Sequence, residues 1–160
     1  GKSLVEADKI DLARSLINAA KKEHTELLLP VDAVAAAEFS AAAKYKEVDV
    51  DAVPEDWMIL DIGTKSRELF ASQLKPMKLI VWNGPMGVFE IDHFAKGTEA
   101  VARAVADSAA VSVVGGGDSV AAVNKTGLAD KITHISTGGG ASLEYLEGKV
   151  LPGIDALSDK

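Results

Sequence analysis

Short apolar runs alternate with stretches of helical periodicity along almost the whole chain. Such runs, rich in branched apolar residues, are typical of buried strands. A regular alternation of strands and helices is typical of a parallel sheet with helices packed on its faces. The sequence therefore predicts an α/β fold built on a parallel sheet. The predicted strands are 26–31, 57–62, 78–82, 111–114 and 132–136.

Helical periodicity and end signals predict a helix beside each of these strands. Ser3 and Glu6 have the spacing of a capping box, which predicts a first helix that opens there and runs to about Lys22. Thr64 is a candidate cap for the second helix. The polar stretch 38–55 is interpreted as a surface excursion with room for an edge strand, and 31–37 is left unassigned. The later predicted helices are 64–74, 92–107, 119–125 and 141–147.

Composition excludes several classes of protein. Of 160 residues, 48% are hydrophobic and 26% are charged, which is globular composition and argues against disorder. No run approaches the length of a membrane span, so we expect no membrane partner. The absence of cysteine excludes disulfides and thiolate metal sites. A net charge of −7 argues against a nucleic-acid partner.

The glycines indicate where a ligand would bind. Eight of the 14 lie in three loops that each follow a predicted strand: Gly84 and Gly87; Gly115, Gly116 and Gly117; Gly138, Gly139 and Gly140. Because parallel strands end at one edge of a sheet, the three loops are expected to converge there. Glycine lets main-chain amides approach an anion, and a following helix adds unpaired N–H groups. The loops therefore predict phosphate cradles, and tight turns without a ligand are the alternative.

Polar side chains in these loops are the candidate site residues. Asp118 follows three glycines and is interpreted either as a helix N-cap or as a Mg²⁺ ligand beside phosphates, and the two roles are compatible. Glu90 is either a solvated acid or an acceptor for ribose hydroxyls. Ser119, Ser136 and Thr137 are candidates for phosphate contacts or for bracing their turns.

Three motifs carry a resemblance to a known family. Residues 82–90 read W-N-G-P-M-G-V-F-E, residues 115–119 read G-G-G-D-S, and residues 136–142 read S-T-G-G-G-A-S. In this order and at this spacing they resemble the phosphoglycerate kinase family, and the resemblance runs over essentially the whole chain. It implies that residues 1–160 are the later part of the family's C-terminal nucleotide-binding domain, a Rossmann-like three-layer fold that is incomplete here.

The family transfers a phosphoryl group between 1,3-bisphosphoglycerate and Mg-ADP, giving 3-phosphoglycerate and ATP, and the resemblance implies a cytoplasmic glycolytic enzyme. Its cofactors would be ATP or ADP with Mg²⁺. The family's N-terminal substrate domain and its lysine-bearing G-G-A-K-V-x-D-K segment have no counterpart in this sequence. The resemblance therefore implies that the missing N-terminal half is this chain's partner and that the chain alone is inactive.

The resemblance also assigns roles to individual residues. Asp118 would hold Mg²⁺, and Gly117 and Gly140 would offer catalytic amides to the transferring phosphoryl group. Ile59, where many members have glycine, is a departure that affects fine nucleotide contacts. The remaining assignments are phosphate contacts by Gly116, Gly117 and Ser119, a ribose contact by Glu90, a nucleotide cleft shaped by Asn83, Pro85 and Val88, and a position near the hinge for Thr137.

Two other classes of function are compatible with the sequence. One is a stand-alone nucleotide- or phosphate-binding module without catalysis, and the other is an ordered remnant that binds no ligand. A parallel sheet without its first strands also has an unpaired edge and an uncovered apolar face. We therefore expect the chain to be marginally stable or to self-associate.

Overall fold

A computed structural model of the chain describes residues 1–136 and 138–157. Three short 3₁₀ turns lie before or after the regular elements of this part of the chain, at Ala7–Lys9, Asp92–Phe94 and Ala129–Lys131. In the described part of the chain, no helix is both long enough and apolar enough to span a membrane. The helices and strands are, in chain order, α1 (Ile10–Lys22), β1 (Asp32–Ala36), β2 (Tyr45–Asp49), β3 (Met58–Ile62), α2 (Thr64–Leu74), β4 (Leu79–Asn83), α3 (Lys96–Ala106), β5 (Val111–Gly115), α4 (Gly117–Thr126), β6 (His134–Ser136), α5 (Gly139–Leu146) and α6 (Pro152–Asp155).

The predicted parallel sheet with flanking helices is confirmed for the later strands. Strands β4, β5 and β6 pair in parallel in that order, with β5 in the centre. Helices α3 and α4 connect consecutive strands and so cross back over the sheet. Branched side chains of β4 and β5 pack against the buried sides of these two helices. The core of this unit comprises Ile80, Trp82, Val101, Ala102, Val105, Val114, Val123 and Ile132.

The earlier strands form a separate antiparallel sheet in the order β2-β1-β3. The predicted edge strand within 38–55 is present as β2. The strand predicted at 57–62 is also present, as β3, but it pairs antiparallel with β1 instead of joining the parallel sheet. A hairpin between β1 and β2 replaces the helical crossover that a parallel connection requires.

The strand predicted at 26–31 is wrong. The strand is instead β1, which lies within the unassigned segment 31–37, and all five of its residues are buried. The prediction followed the large apolar side chains, but Leu27 and Leu29 are exposed. The central position between two antiparallel neighbours goes instead to the small residues of β1, which pack closely with Leu60 and Phe94.

The capping box predicted at the first helix is also wrong. Helix α1 begins only at Ile10, and the Ser3 hydroxyl accepts a hydrogen bond from the Ile59 amide at 2.8 Å. Lys2 donates its amide to the Trp57 carbonyl at 2.7 Å, so the first residues run beside β3. The helix predicted up to Lys22 is present, although none of its residues is buried.

Helix α2 has the predicted range, but its N-terminus is held differently. Gly63, not Thr64, is the N-cap residue. The buried Asp32 carboxylate accepts the amides of Lys65 and Ser66 at 2.9 and 2.8 Å. Burial raises the pKa of Asp32, but the bonds from Ser66 and Lys65 outweigh it and the net shift is downward. A residue from β1 therefore performs the capping that local sequence assigned to Thr64.

Candidate functional site

The three glycine loops leave the parallel sheet side by side. In the sheet register Asn83 of β4 is opposite Gly115 of β5, and Gly115 is opposite Ser136 of β6. The three strands therefore end at the same level, and the residues that follow them share the carboxyl edge of the sheet. This edge is where ligands bind in open α/β sheets.

The central loop is shaped by Gly116. Its φ of 94° lies in the left-handed region that favours glycine, and a Cβ there would come within 2.6 Å of the Asn83 Oδ1 atom. Helix α4 starts directly afterwards at Gly117, two residues earlier than predicted. Its first turn leaves backbone N–H groups without partners in the helix, and the space beside Gly117 is open. The geometry suits an anion.

Asp118 lies in the first turn of α4 and is exposed. The N-cap interpretation fails, because Gly116 occupies the N-cap position and no side chain of the described residues caps this helix. The carboxylate is thus left for another role beside the free amides. Among the described residues there is no cluster of three or more acidic or histidine side chains able to hold a metal ion. A lone carboxylate fits Mg²⁺, which takes one or two carboxylates together with water and phosphate oxygens.

Ser119 braces two of the loops. Its side chain is 1% exposed, and its hydroxyl oxygen accepts the Gly84 amide at 2.6 Å. The Trp82 indole donates to the Gly84 carbonyl at 2.7 Å. The N–H group of Gly84 is therefore held by α4, and its carbonyl is held by β4. The Ser119 hydroxyl keeps its own hydrogen, which it can still donate.

The third loop touches the second through backbone alone. A Cβ on Gly139 would collide with the Cα atom of Gly116 and lie 2.5 Å from its nitrogen. The Ser142 hydroxyl donates to the Gly138 carbonyl at 3.1 Å, and the Gly138 amide donates to the Ser136 hydroxyl at 3.3 Å. Gly140 follows in the first turn of α5 beside open space. Thr137 lies outside the described residues.

The first loop forms one wall of a groove. Pro85 and Val88 line a cavity of about 460 Å³ together with Ile59 and Leu60. The predicted cleft residues Pro85 and Val88 are thus brought together with the residue at which the sequence departs from the family. The structure does not bring Asn83 into this groove: its side chain lies against Gly116.

Glu90 is exposed at the end of the first loop. The segment that carries it is held by Lys125 of α4, whose ammonium donates to the Phe89 carbonyl at 2.8 Å and to Asp92 at 3.0 Å. The Glu90 side chain is therefore placed in solvent on a segment whose backbone is tied down. That placement leaves its carboxylate open to a ligand hydroxyl.

Sequence reasoning missed two buried polar residues behind the first loop. Asp61 of β3 accepts the Gly97 amide at 2.7 Å and the Ile62 amide at 2.8 Å. Burial raises the pKa of Asp61 to about 6. Thr98 of α3 accepts the Met86 amide at 3.0 Å. The available signal was Asp61 itself. A carboxyl group within an otherwise apolar strand is rarely buried without a structural or functional role.

The family model described as Phosphoglycerate kinase matches residues 1–149. Phosphoglycerate kinase of Synechococcus sp. (strain JA-2-3B'a(2-13)) is 63% identical over 162 residues, which are 99% of this chain and 39% of that protein. The enzyme of Pelotomaculum thermopropionicum is 59% identical over 160 residues, covering all of this chain and 41% of the relative.

Solved structures agree. Phosphoglycerate kinase from Coxiella burnetii superimposes with a TM-score of 0.93 at 46% identity, covering 97% of this chain and 40% of that one. The enzyme from Pyrococcus horikoshii gives a TM-score of 0.78 at 38% identity, with 92% and 36% covered. The chain thus spans about 40% of the length of the curated relatives it matches.

Proposed function

The chain belongs to the phosphoglycerate kinase family, and from that premise we propose that it is the nucleotide-binding part of a glycolytic kinase of the cytoplasm. The complete protein would transfer a phosphoryl group between 1,3-bisphosphoglycerate and Mg-ADP, giving 3-phosphoglycerate and ATP. The chain represents about 40% of the length of its relatives. The remaining part, with a substrate domain of its own, would be the chain's partner in closing over the reactants.

One observation carries this proposal. Asn83, Gly115 and Ser136 end three parallel strands at one level, so three glycine loops and the first turns of two helices face the same space. A nucleotide phosphate needs several N–H donors and little side-chain bulk, and this edge offers both. The net charge of the chain is −7, so an anion is best held by local amide donors.

Phosphoryl transfer requires positioning and charge stabilisation more than a covalent intermediate. The amides of Gly117 and Gly140 would donate hydrogen bonds to the oxygens of the phosphoryl group as negative charge spreads over them. Gly116, Gly117 and Ser119 would contact the nucleotide phosphates.

The nucleoside would lie toward the first loop. Pro85 and Val88 provide an apolar wall for a base in the groove that they line. The exposed Glu90 carboxylate would accept a hydrogen bond from a ribose hydroxyl. Asn83 would shape the nucleotide cleft between the groove for the base and the loops for the phosphates. Thr137 would lie near the hinge between the two domains.

Asp118 would hold Mg²⁺, which when bound neutralises phosphate charge and orients the phosphate oxygens. The free carboxylate sits in the first turn of α4, next to the amides assigned to the phosphates. An acidic side chain is also favoured at this end of a helix by the helix dipole. The position therefore suits the residue both with and without the ion.

The test is a calorimetric titration of Mg-ADP into the chain and into the Asp118→Asn variant, which removes the charge and keeps the shape. Asp130→Asn, on an exposed turn outside the three loops, is the matched control. We expect the affinity for Mg-ADP to fall by about tenfold or more in Asp118→Asn and to stay unchanged in the control. In the presence of a chelator, ADP should bind to Asp118→Asn no more weakly than to the chain, because the ion is absent and the carboxylate then only repels the phosphates.

Equal Mg-ADP affinity in Asp118→Asn would refute the role of Asp118. Failure of every protein to bind ADP would refute a working nucleotide site in this chain and favour an ordered remnant. A coupled assay of ATP formation from 1,3-bisphosphoglycerate and Mg-ADP should detect no turnover by the chain. Measurable turnover would overturn the proposal that it depends on a partner domain, while binding without turnover even in the complete protein would favour a non-catalytic module.

A further inference from the structure

The first loop, residues 84–90, carries three of the proposed nucleotide contacts but belongs to no helix or strand. Its shape must therefore come from hydrogen bonds to neighbouring elements. At its start Gly84 donates to Ser119, and at its end the Phe89 carbonyl accepts from Lys125. These anchors leave the middle of the loop, which holds Pro85 and Val88, to be positioned by other groups.

Two bonds fix the middle of the loop. The Val88 amide donates to the carbonyl of Leu60 at 2.9 Å, and the Met86 amide donates to the hydroxyl of Thr98 at 3.0 Å. The second bond is the one that a side chain supplies. Thr98 is 1% exposed, so water cannot replace its hydroxyl as the acceptor for Met86.

The hydroxyl of Thr98 is itself held in place by the start of α3. The neighbouring Gly97 donates its amide to the Asp61 carboxylate at 2.7 Å. A Cβ on Gly97 would collide with the Asp61 carboxylate, and so would a Cβ on Gly87 in the loop. Asp61 therefore touches the start of α3 on one side and the loop on the other, and it sets the spacing between them.

We infer that Thr98 is a positioning residue for the nucleotide: its hydroxyl, placed by the contact of Asp61 with Gly97, holds Met86 so that Pro85 and Val88 face the base. The inference rests on the proposed function, since it concerns the same nucleotide site. Thr98 does not contact the ligand. It acts on affinity through the position of the loop.

A matched set of variants separates positioning from general stability. Thr98→Val keeps the shape and removes the acceptor, whereas Thr98→Ser keeps the acceptor. Thr133→Val is the control, because the Thr133 hydroxyl also accepts a backbone amide, that of Ser112 at 3.1 Å, but near the amino ends of β5 and β6. Both valine variants lose a part-buried hydrogen bond from a backbone amide, and the melting temperature should fall further in Thr98→Val because Thr98 is buried whereas Thr133 is exposed.

The measurement is the dissociation constant for Mg-ADP by calorimetry, together with amide exchange of residues 84–90 by NMR. We expect the dissociation constant to rise about tenfold in Thr98→Val and to stay within about twofold in Thr98→Ser and Thr133→Val. Protection of the Met86 amide should be lost only in Thr98→Val. This readout needs no nucleotide.

Unchanged affinity in Thr98→Val, or an equal loss in Thr133→Val, would overturn the inference. If the unmodified chain binds no Mg-ADP, the proposed nucleotide site in this chain fails. The positioning role is then decided by exchange alone. Retained protection of Met86 in Thr98→Val would refute it, and loss of protection confined to residues 84–90 would support it.

Discussion

Raising the pH from about 4 to about 8 should lower the free energy of unfolding through one buried carboxyl group, Asp61. Burial is the main cause that raises its pKa, from 3.8 to about 6, and the charge of Glu99 adds to it. The amide bonds from Gly97 and Ile62 and the charge of Arg67 oppose the shift. Between the two pKa values the unfolded chain has lost the Asp61 proton while the folded chain retains it. Stability therefore falls as pH rises through this window, and the loss is complete above the folded pKa.

The magnitude follows from the shift. About two pKa units at about 1.36 kcal/mol each correspond to about 3 kcal/mol, of which about 2 kcal/mol fall between about pH 4.5 and pH 7.5. Urea denaturation of the chain and of Asp61→Asn across this range measures it. Asparagine is neutral throughout, so the stability of the chain minus that of the variant should fall by about 2 kcal/mol as pH rises.

Asp92→Asn provides a control of opposite sign. The Lys125 ammonium lowers the pKa of Asp92, so the advantage of the aspartate is present above the unfolded pKa and is lost as pH falls. The difference between the chain and Asp92→Asn should therefore stay nearly constant from about pH 4.5 to pH 7.5 and shrink only as the pH falls below the ordinary pKa of 3.8, whereas the difference for Asp61→Asn changes within that range. A constant difference for Asp61→Asn from about pH 4.5 to pH 7.5 would show that burial does not control this carboxyl group.

Two further predictions concern the glycine contact and the uncovered face of the sheet. Gly139→Ala should destabilise the chain by about 1–3 kcal/mol in urea denaturation, because the added methyl group would lie 2.5 Å from the Gly116 nitrogen and must push two backbones apart. Gly153→Ala, which meets open space, should be neutral, and an equal loss in both would refute the packing argument. Sedimentation velocity should show concentration-dependent association, since Val81 is 43% exposed on the uncovered face of β4 beside an apolar groove of about 480 Å³. Val81→Lys should weaken that association, and Val5→Lys, at an exposed position that does not line this groove, should not. A monomer at all concentrations would contradict the prediction.

The convergence of the three loops could be predicted from sequence because it follows from a general rule. Strands of a parallel sheet end at one edge, so the positions of glycine runs after strands already place them together. The helices and strands in the second half of the chain could also be predicted from the sequence, because apolar runs and helical periods alternate clearly there. The predicted ranges for β4, β5 and α2 differ from the observed ones by at most a residue at each end.

The first half of the chain was harder because its structure depends on distant residues. Strand β1 is buried through its central position between two neighbours, which no count of apolar side chains reveals. The helix starts were misjudged for the same reason. Ser3, Thr64 and Asp118 have the local pattern of capping residues, but α2 is capped by Asp32, and the Gly97 amide near the start of α3 is held by Asp61. Such long-range caps leave no signature within one helical turn of sequence.

These distant contacts also determine whether the chain can hold the first loop in place by itself. The bonds that hold residues 84–90 come from Leu60, Thr98, Ser119 and Lys125, all of which belong to the chain. The buried Asp61 adds the spacing between the loop and α3. The groups that support the proposed wall for the base therefore all lie within this 160-residue sequence. Binding of Mg-ADP and turnover are thus separable properties, and the first should survive in the chain when the second is absent.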